Sequence, residues 1–153
     1  MKKIFLGIIC LLTVFGSHAQ MDRMPTQNDE RVKWNFYIKK DSVTQASTFF
    51  AKAKIDSGWH IFTQTPGGDG SLIPTTLQFD NKELNKNTKV IGKKIDKDME
   101  EFGKVQYYEQ VLIFETPIPF KRKIKLVKGI IEFQTCNDIM CLAPQQVPFE
   151  INL

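Results

Sequence analysis

The sequence has no apolar run long enough to cross a membrane: the longest, from Ile4 to Phe15, has about 12 residues where a spanning helix needs roughly 20. It has no strong excess of one charge either, since 21 basic residues stand against 17 acidic ones. The basic residues (Lys39, Lys40, Lys52, Lys54, Lys121, Arg122, Lys123, Lys125) are scattered in the way of solvated strand faces, so nothing points to nucleic acid. Sustained helical periodicity, internal repeats and low-complexity blocks are absent as well. Cysteine is scarce, with three in the chain, and His60 is the only histidine beyond the first 19 residues. Two cysteines five positions apart, Cys136 and Cys141, do not make a zinc pattern.

What is present begins with a leader. Met1-Lys2-Lys3, the apolar core and Gly16-Ser17-His18-Ala19 ahead of Gln20 read as a secretory signal peptide, residues 1–19. Cys10 lies inside that core after Ile8 and Ile9, where a lipoprotein signal wants small residues, so it is read as part of the discarded leader, with lipid anchoring as the lesser alternative. Loss of Lys2 and Lys3 lowers the formal charge from +4 to +2. Residues 20–30 form a polar lead-in, and 31–153 suffice for one domain with a single core. The mature chain is expected to have no membrane span.

Strict alternation then dominates. Val32, Trp34, Phe36 and Ile38 share one face, as do Phe49, Ala51, Ala53 and Ile55, and later Val147, Phe149, Ile151 and Leu153. Pro148 marks the last of these as an edge strand or a strand start, because proline cannot donate to a ladder. Shorter strands are expected at 59–62, 75–79, 89–91, 105–114 and 124–133, the last with a bulge or bend at Gly129. Turn residues separate them at 56–58, 65–70 and 81–87. About eight short strands at such spacing predict an all-β antiparallel sandwich.

In an exported chain Cys136 and Cys141 can form a disulfide. Closing so small a loop contributes about 2 kcal/mol in the chain-entropy picture, against nearly 5 for a loop of about a hundred residues. As a staple the bond is poorly placed. For reversible chemistry the short loop is an advantage, since either sulfur can attack a mixed disulfide formed by the other. Spacing alone leaves a redox-active pair and a minor structural bond both open. A third reading is a soft Cu(I) site that adds Met140 or His60 to the thiolates.

The stretches "TCNDIMCLAP" (135–144), "DSGWHIF" (56–62) and "EEFGK" (100–104) resemble the N-terminal periplasmic domain of the DsbD thiol:disulfide interchange proteins. That resemblance covers roughly residues 30–153, and its most specific part is the cysteine motif with the proline after it. It implies an immunoglobulin-like sandwich, a periplasmic location and no cofactor or metal. It also implies partners: thioredoxin-like redox proteins act as electron donor and acceptor, the acceptors including disulfide isomerases and the thioredoxins of cytochrome c biogenesis. Carried over by position, Cys141 is the cysteine that forms the mixed disulfide and Cys136 its resolving neighbour. Phe102 is the aromatic of a cap loop, Glu100 and Glu101 are its acidic positions, and Trp59, His60, Ile61 and Phe62 form the strand beneath it. Carboxylates near a thiol hold its pKa up and limit idle reactivity. The cysteine spacing is one residue shorter than in the best-known members, and His60 and Phe62 stand where those carry tyrosines. The donor is expected to be a separate protein.

Each of these residues also has an ordinary reading. Phe102, Trp59 and Phe62 can be core aromatics, His60 a buried structural histidine, and Glu100 and Glu101 part of a solvated charged loop running from Asp96. Asp138 can modulate thiolate formation or simply favour a turn. The competing functions are a non-enzymatic immunoglobulin-like binding module with a structural disulfide, and a Cu(I)-binding assembly factor.

Overall fold

Alternation becomes structure first in the hairpin of β1 (Val32–Lys40) and β2 (Ser47–Ile55), which pair antiparallel from Val32↔Ile55 to Lys40↔Ser47. Phe49, Ala51, Ala53 and Ile55 are buried while Lys52 and Lys54 between them are exposed, because successive side chains leave a strand on opposite sides. Asp41 closes the hairpin, its Oδ1 accepting from the amides of Val43 and Thr44. This computed structural model describes residues 30–119 and 124–153. The expected leader, residues 20–29 of the polar lead-in, and Lys121, Arg122 and Lys123 lie outside the described residues.

The remaining strands among the described residues are β3 (His60–Gly67), β4 (Thr76–Phe79), β5 (Lys89–Ile91), β6 (Lys94–Met99), β7 (Gly103–Tyr108), β8 (Val111–Ile118), β9 (Leu126–Phe133), β10 (Thr135–Cys136) and β11 (Gln145–Asn152). They form sheets ordered β1-β2-β8-β5, β10-β3-β7-β6 and β11-β9-β4, with every pairing antiparallel. The architecture is the expected all-β, immunoglobulin-like antiparallel sandwich. A single 3-10 turn, Leu84–Asn87, is the helical element of the described residues. The proline-bearing strand β11 lies at a sheet edge, where the missing amide of Pro148 is tolerated.

Eleven strands among the described residues replace the eight expected: the two-residue β10 adds one, and the other two additions have a clear physical origin. The stretch 105–114 is two strands, because Gln110 adopts a positive φ of 63° and the chain leaves the sheet of β3 for that of β2. Of the charged run from Asp96 to Glu101, residues 96–99 belong to strand β6 while Glu100 and Glu101 are exposed on the turn after it; β6 sits at an edge, where charged side chains face water and discourage pairing with other chains. Gly129 makes no bulge, since its register with Phe149 and Phe79 is unbroken. A Cβ there would lie 2.3 Å from the Gln78 carbonyl oxygen and 2.7 Å from Phe149 Cζ, so the glycine serves close packing.

The main core lies between β1-β2-β8-β5 and the other two sheets. It joins Phe49, Leu112 and Phe114 to Ile61, Tyr108, Phe79, Ile131, Phe133 and Phe149. Phe149 stacks on Phe36 at 4.8 Å and on Phe49 at 4.9 Å, and Phe49 meets Phe79 edge-on at 5.2 Å. A second cluster covers the far face of β10-β3-β7-β6. There Phe62, Leu72, Val105, Tyr107 and Cys136 are buried, with Ile95, Met99 and Phe102 packed against them.

Candidate functional site

The disulfide is built on strand pairing. Cys136, at the end of β10, faces Cys141 across an isolated antiparallel bridge, flanked by hydrogen bonds from Leu142 N to Thr135 O (2.8 Å) and from Asn137 N to Met140 O (2.9 Å). Cysteines placed opposite each other between two hydrogen-bonded pairs occupy the close, non-hydrogen-bonded position of an antiparallel ladder. Their Cα atoms are 4.0 Å apart and the sulfurs are bonded. Four intervening residues suffice because Asn137 Oδ1 accepts from the amides of both Ile139 and Met140 at 2.8 Å, which folds 137–140 into a tight turn. The turn-forming side chain is therefore Asn137, where Asp138 had been a candidate for that role.

The two half-cystines differ in exposure. Cys136 is 1 % exposed within the second cluster, whereas Cys141 is exposed beside Met140 (52 %) and Ile139 (90 %). A cleft of about 470 Å³ opens onto the bond, and it is lined by Cys136, Cys141, His60, Phe62, Glu100, Glu101, Phe102 and Asp138, each singled out from the sequence. Trp59 packs instead against the main core, with the Arg31 guanidinium over its ring.

Pairing of β3 with β10 sets His60 directly across from Cys136, and the β3–β7 ladder sets Phe62 across from Tyr107. The His60 ring lies 4.3 Å from that of Tyr107 and meets Phe62 edge-on at 5.6 Å. Burial disfavours its charged form and lowers its pKa from 6.5 to about 4, with Asp138 opposing and Lys97 reinforcing the shift. Burial also pushes the Tyr107 hydroxyl up. Lys97 Nζ donates to Asp138 Oδ1 at 2.6 Å, tying β6 to the disulfide turn. That bond holds the Asp138 carboxyl below its usual range and raises Lys97.

Phe102 sits on the turn joining β6 to β7. Its amide donates to Met99 O at 3.2 Å, and Gly103, the first residue of β7 and the partner of Met99, follows with φ 78°, a left-handed conformation that glycine adopts without steric cost. The loop after β3 supports this turn from below. Gly68 N donates to Lys104 O, and a Cβ on Gly67 would lie 2.6 Å from that same oxygen, so glycine is what lets the two backbones approach.

A protein-family model described as "Thiol:disulfide interchange protein DsbD, N-terminal" matches residues 27–152. The chain belongs to the DsbD N-terminal domain family. Its fold is similar to that of the DsbD N-terminal domain of Neisseria meningitidis in the reduced form, with a TM-score of 0.58, 16 % identity, and 80 % of this chain and 85 % of that one covered. It is also similar to the N-terminal periplasmic domain of ScsB from Proteus mirabilis, with a TM-score of 0.57 and 14 % identity over 82 % of this chain; the match spans 48 % of that one. No curated protein matches the chain in sequence. Membership and the bonded cysteine pair together support thiol-disulfide exchange in general.

Within this DsbD-type domain, sequence reasoning missed Lys97, Met99, Tyr107, Leu72 and Asn137 as neighbours of the bond. A signal existed for three of them: Lys97 and Met99 alternate with Ile95 on one face, and Asn137, just after a cysteine, is a turn former. No group of three or more His, Cys, Asp or Glu side chains is placed to hold a metal ion among the described residues. Nor is any helix among them long and apolar enough to cross a membrane.

Proposed function

We propose that the domain is a periplasmic electron relay that works through Cys136 and Cys141. The observation that carries this reading is the unequal exposure of the two residues joined by one bond: Cys141 is open to a partner and Cys136 is held 1 % exposed beneath it. A thiolate of a thioredoxin-like donor attacks Cys141 Sγ, the disulfide breaks, and Cys136 leaves with the bonding pair. The donor's second thiol then releases Cys141. In the onward step the Cys141 thiolate attacks an acceptor disulfide, and Cys136 attacks Cys141 Sγ to free the reduced acceptor. Disulfide isomerases and thioredoxin-like proteins are the acceptor classes.

Phe102, on its turn at the cleft, acts as the cap that a partner displaces, and Glu100 and Glu101 discourage idle thiolate formation beside it. Ile139 and Met140 provide an apolar contact around Cys141 for the incoming partner. Residues 1–19 export the chain, 20–30 form its lead-in and 31–153 are the working domain. The description of the ScsB relative as periplasmic supports the same location.

Equilibration against glutathione buffers tests the relay directly. A reduction potential of about −200 to −250 mV is expected, together with trapping of partners by Cys136→Ser, whose free Cys141 forms a mixed disulfide that nothing resolves. A potential below about −300 mV with no trapped partner would leave a structural bond in a binding module. Phe102→Ala is expected to react faster with glutathione than wild type, and an unchanged rate removes the cap.

A further inference from the structure

Packing gives no reason for an imidazole at position 60. His60 is 3 % exposed, and its Nε2 is buried with no hydrogen-bond partner among the described residues. An unpaired buried polar atom is destabilising, and a phenylalanine ring would fill the same space against Tyr107 and Phe62 without that penalty. What the imidazole has beside it is sulfur. His60 and Cys136 are direct partners across the β3–β10 ladder, and opposite residues of a ladder project side by side from the same face.

Cys136 must change its protonation state in every exchange cycle, in a place that water does not reach. A thiol in apolar surroundings holds its proton, and it attacks a disulfide only as the thiolate. The other charged groups around the cleft are poorly suited to remove that proton. Lys97 from β6 and Asp138 from the disulfide turn are bonded to each other, and their effects on His60 oppose one another. Asp98, Glu100 and Glu101 also line the cleft, but from exposed positions on β6 and the turn after it. Tyr107, whose ring lies tilted against that of His60 at 4.3 Å, keeps its proton because burial raises its pKa. His60, kept neutral by burial, carries one N–H and one free acceptor nitrogen at pH 7.

We propose that His60 takes the proton of the Cys136 thiol as that sulfur resolves the mixed disulfide on Cys141. This rests on the reading of Cys136 and Cys141 as an exchange pair. In the step, the proton passes from Cys136 Sγ to a ring nitrogen of His60 while Cys136 Sγ bonds to Cys141 Sγ. The bond from Cys141 to the acceptor sulfur breaks, and its electron pair leaves with the acceptor as a thiolate. The imidazolium, disfavoured once the negative charge beside it has gone, releases its proton to the departing acceptor thiolate. Run in reverse, the same transfer protonates Cys136 when a donor thiolate opens the disulfide.

The test uses the purified, reduced protein and the aromatic disulfide dithionitrobenzoate. Attack by Cys141 releases one thionitrobenzoate, and resolution by Cys136 releases a second, so the two steps are read separately from pH 5.5 to 8. Wild type is expected to resolve with little pH dependence. His60→Phe, which keeps the ring packing, and His60→Gln are expected to resolve on the order of a hundredfold more slowly at pH 7, with the rate rising about tenfold per pH unit. The first release should be unchanged. A purely structural role would instead slow both steps without altering the slope. Wild-type rates and slope in both folded variants, or in His60→Gln if the phenylalanine variant does not fold, would overturn the proposal and leave the exchange reading intact. A wild type that never releases the second thionitrobenzoate would overturn the exchange reading and this proposal with it.

Discussion

The two faces of the sheet β10-β3-β7-β6 are built from adjacent residues and behave as different materials. Ile61 and Tyr108 pair across the ladder and turn inward to the main core, whereas Phe62 and Tyr107, the next pair along, turn outward with His60 and Cys136. The inner face is closely packed and mostly apolar, with the hydroxyl of Thr135 buried opposite Ile61. The outer one mixes rings with a buried imidazole, a disulfide and an ion pair at its margin. A strand's period of two thus lets one stretch of chain serve stability on one side and chemistry on the other, with the first holding the second in register.

The sharpest way to separate the faces is to damage the inner one. Phe49→Ala removes a ring with 0 % exposure that touches three other aromatic rings, and should lower stability by about 3–5 kcal/mol in urea titration. Reduction of the disulfide by dithiothreitol in the folded variant should proceed as in wild type; a large change would mean that the faces are coupled.

Acid probes the outer face next. Unfolded His60 titrates near 6.5 and folded His60 near 4, so as pH falls the unfolded state takes up its proton first. The stability contributed by keeping the ring neutral is complete above pH 6.5. It should be lost between 6.5 and 4, by on the order of 2 kcal/mol, and His60→Phe should abolish that part of the slope. A slope that persists in the variant would place the titration elsewhere.

Smaller still are the contributions of the bond and of the ion pair. Replacing Cys136 and Cys141 together by serine should cost about 2 kcal/mol, the closure entropy of a short loop, while eliminating exchange; a much larger loss would make the bond a structural staple. Lys97→Ala, which removes an exposed partner of Asp138, should leave the urea midpoint close to that of wild type, because an ion pair in water is screened. Any effect on exchange would then come from freeing the disulfide turn, measurable as a change in the rate of reduction by a thioredoxin.

Much of this was legible in the order of residues. Alternation marks β1, β2 and β11 because burial of one face is a local, period-two property, and the cysteine spacing with its proline points to the family. Charge misled at β6, since an edge strand and a solvated loop are both polar, and hydrophobicity misled at 105–114, where two consecutive strands belong to different sheets. Gly129 looked like a bend and proved to be room for the Phe149 ring.

The sequence by itself thus determined which residues can alternate, turn and carry sulfur chemistry. Only the tertiary structure decided that His60 lies against Tyr107 and opposite Cys136, that Lys97 reaches Asp138, and that one half-cystine is buried while the other is exposed. Those facts depend on which distant strands pair and in what register. Register is set by how the whole core packs, and a shift of one residue would send every one of these side chains to the opposite face.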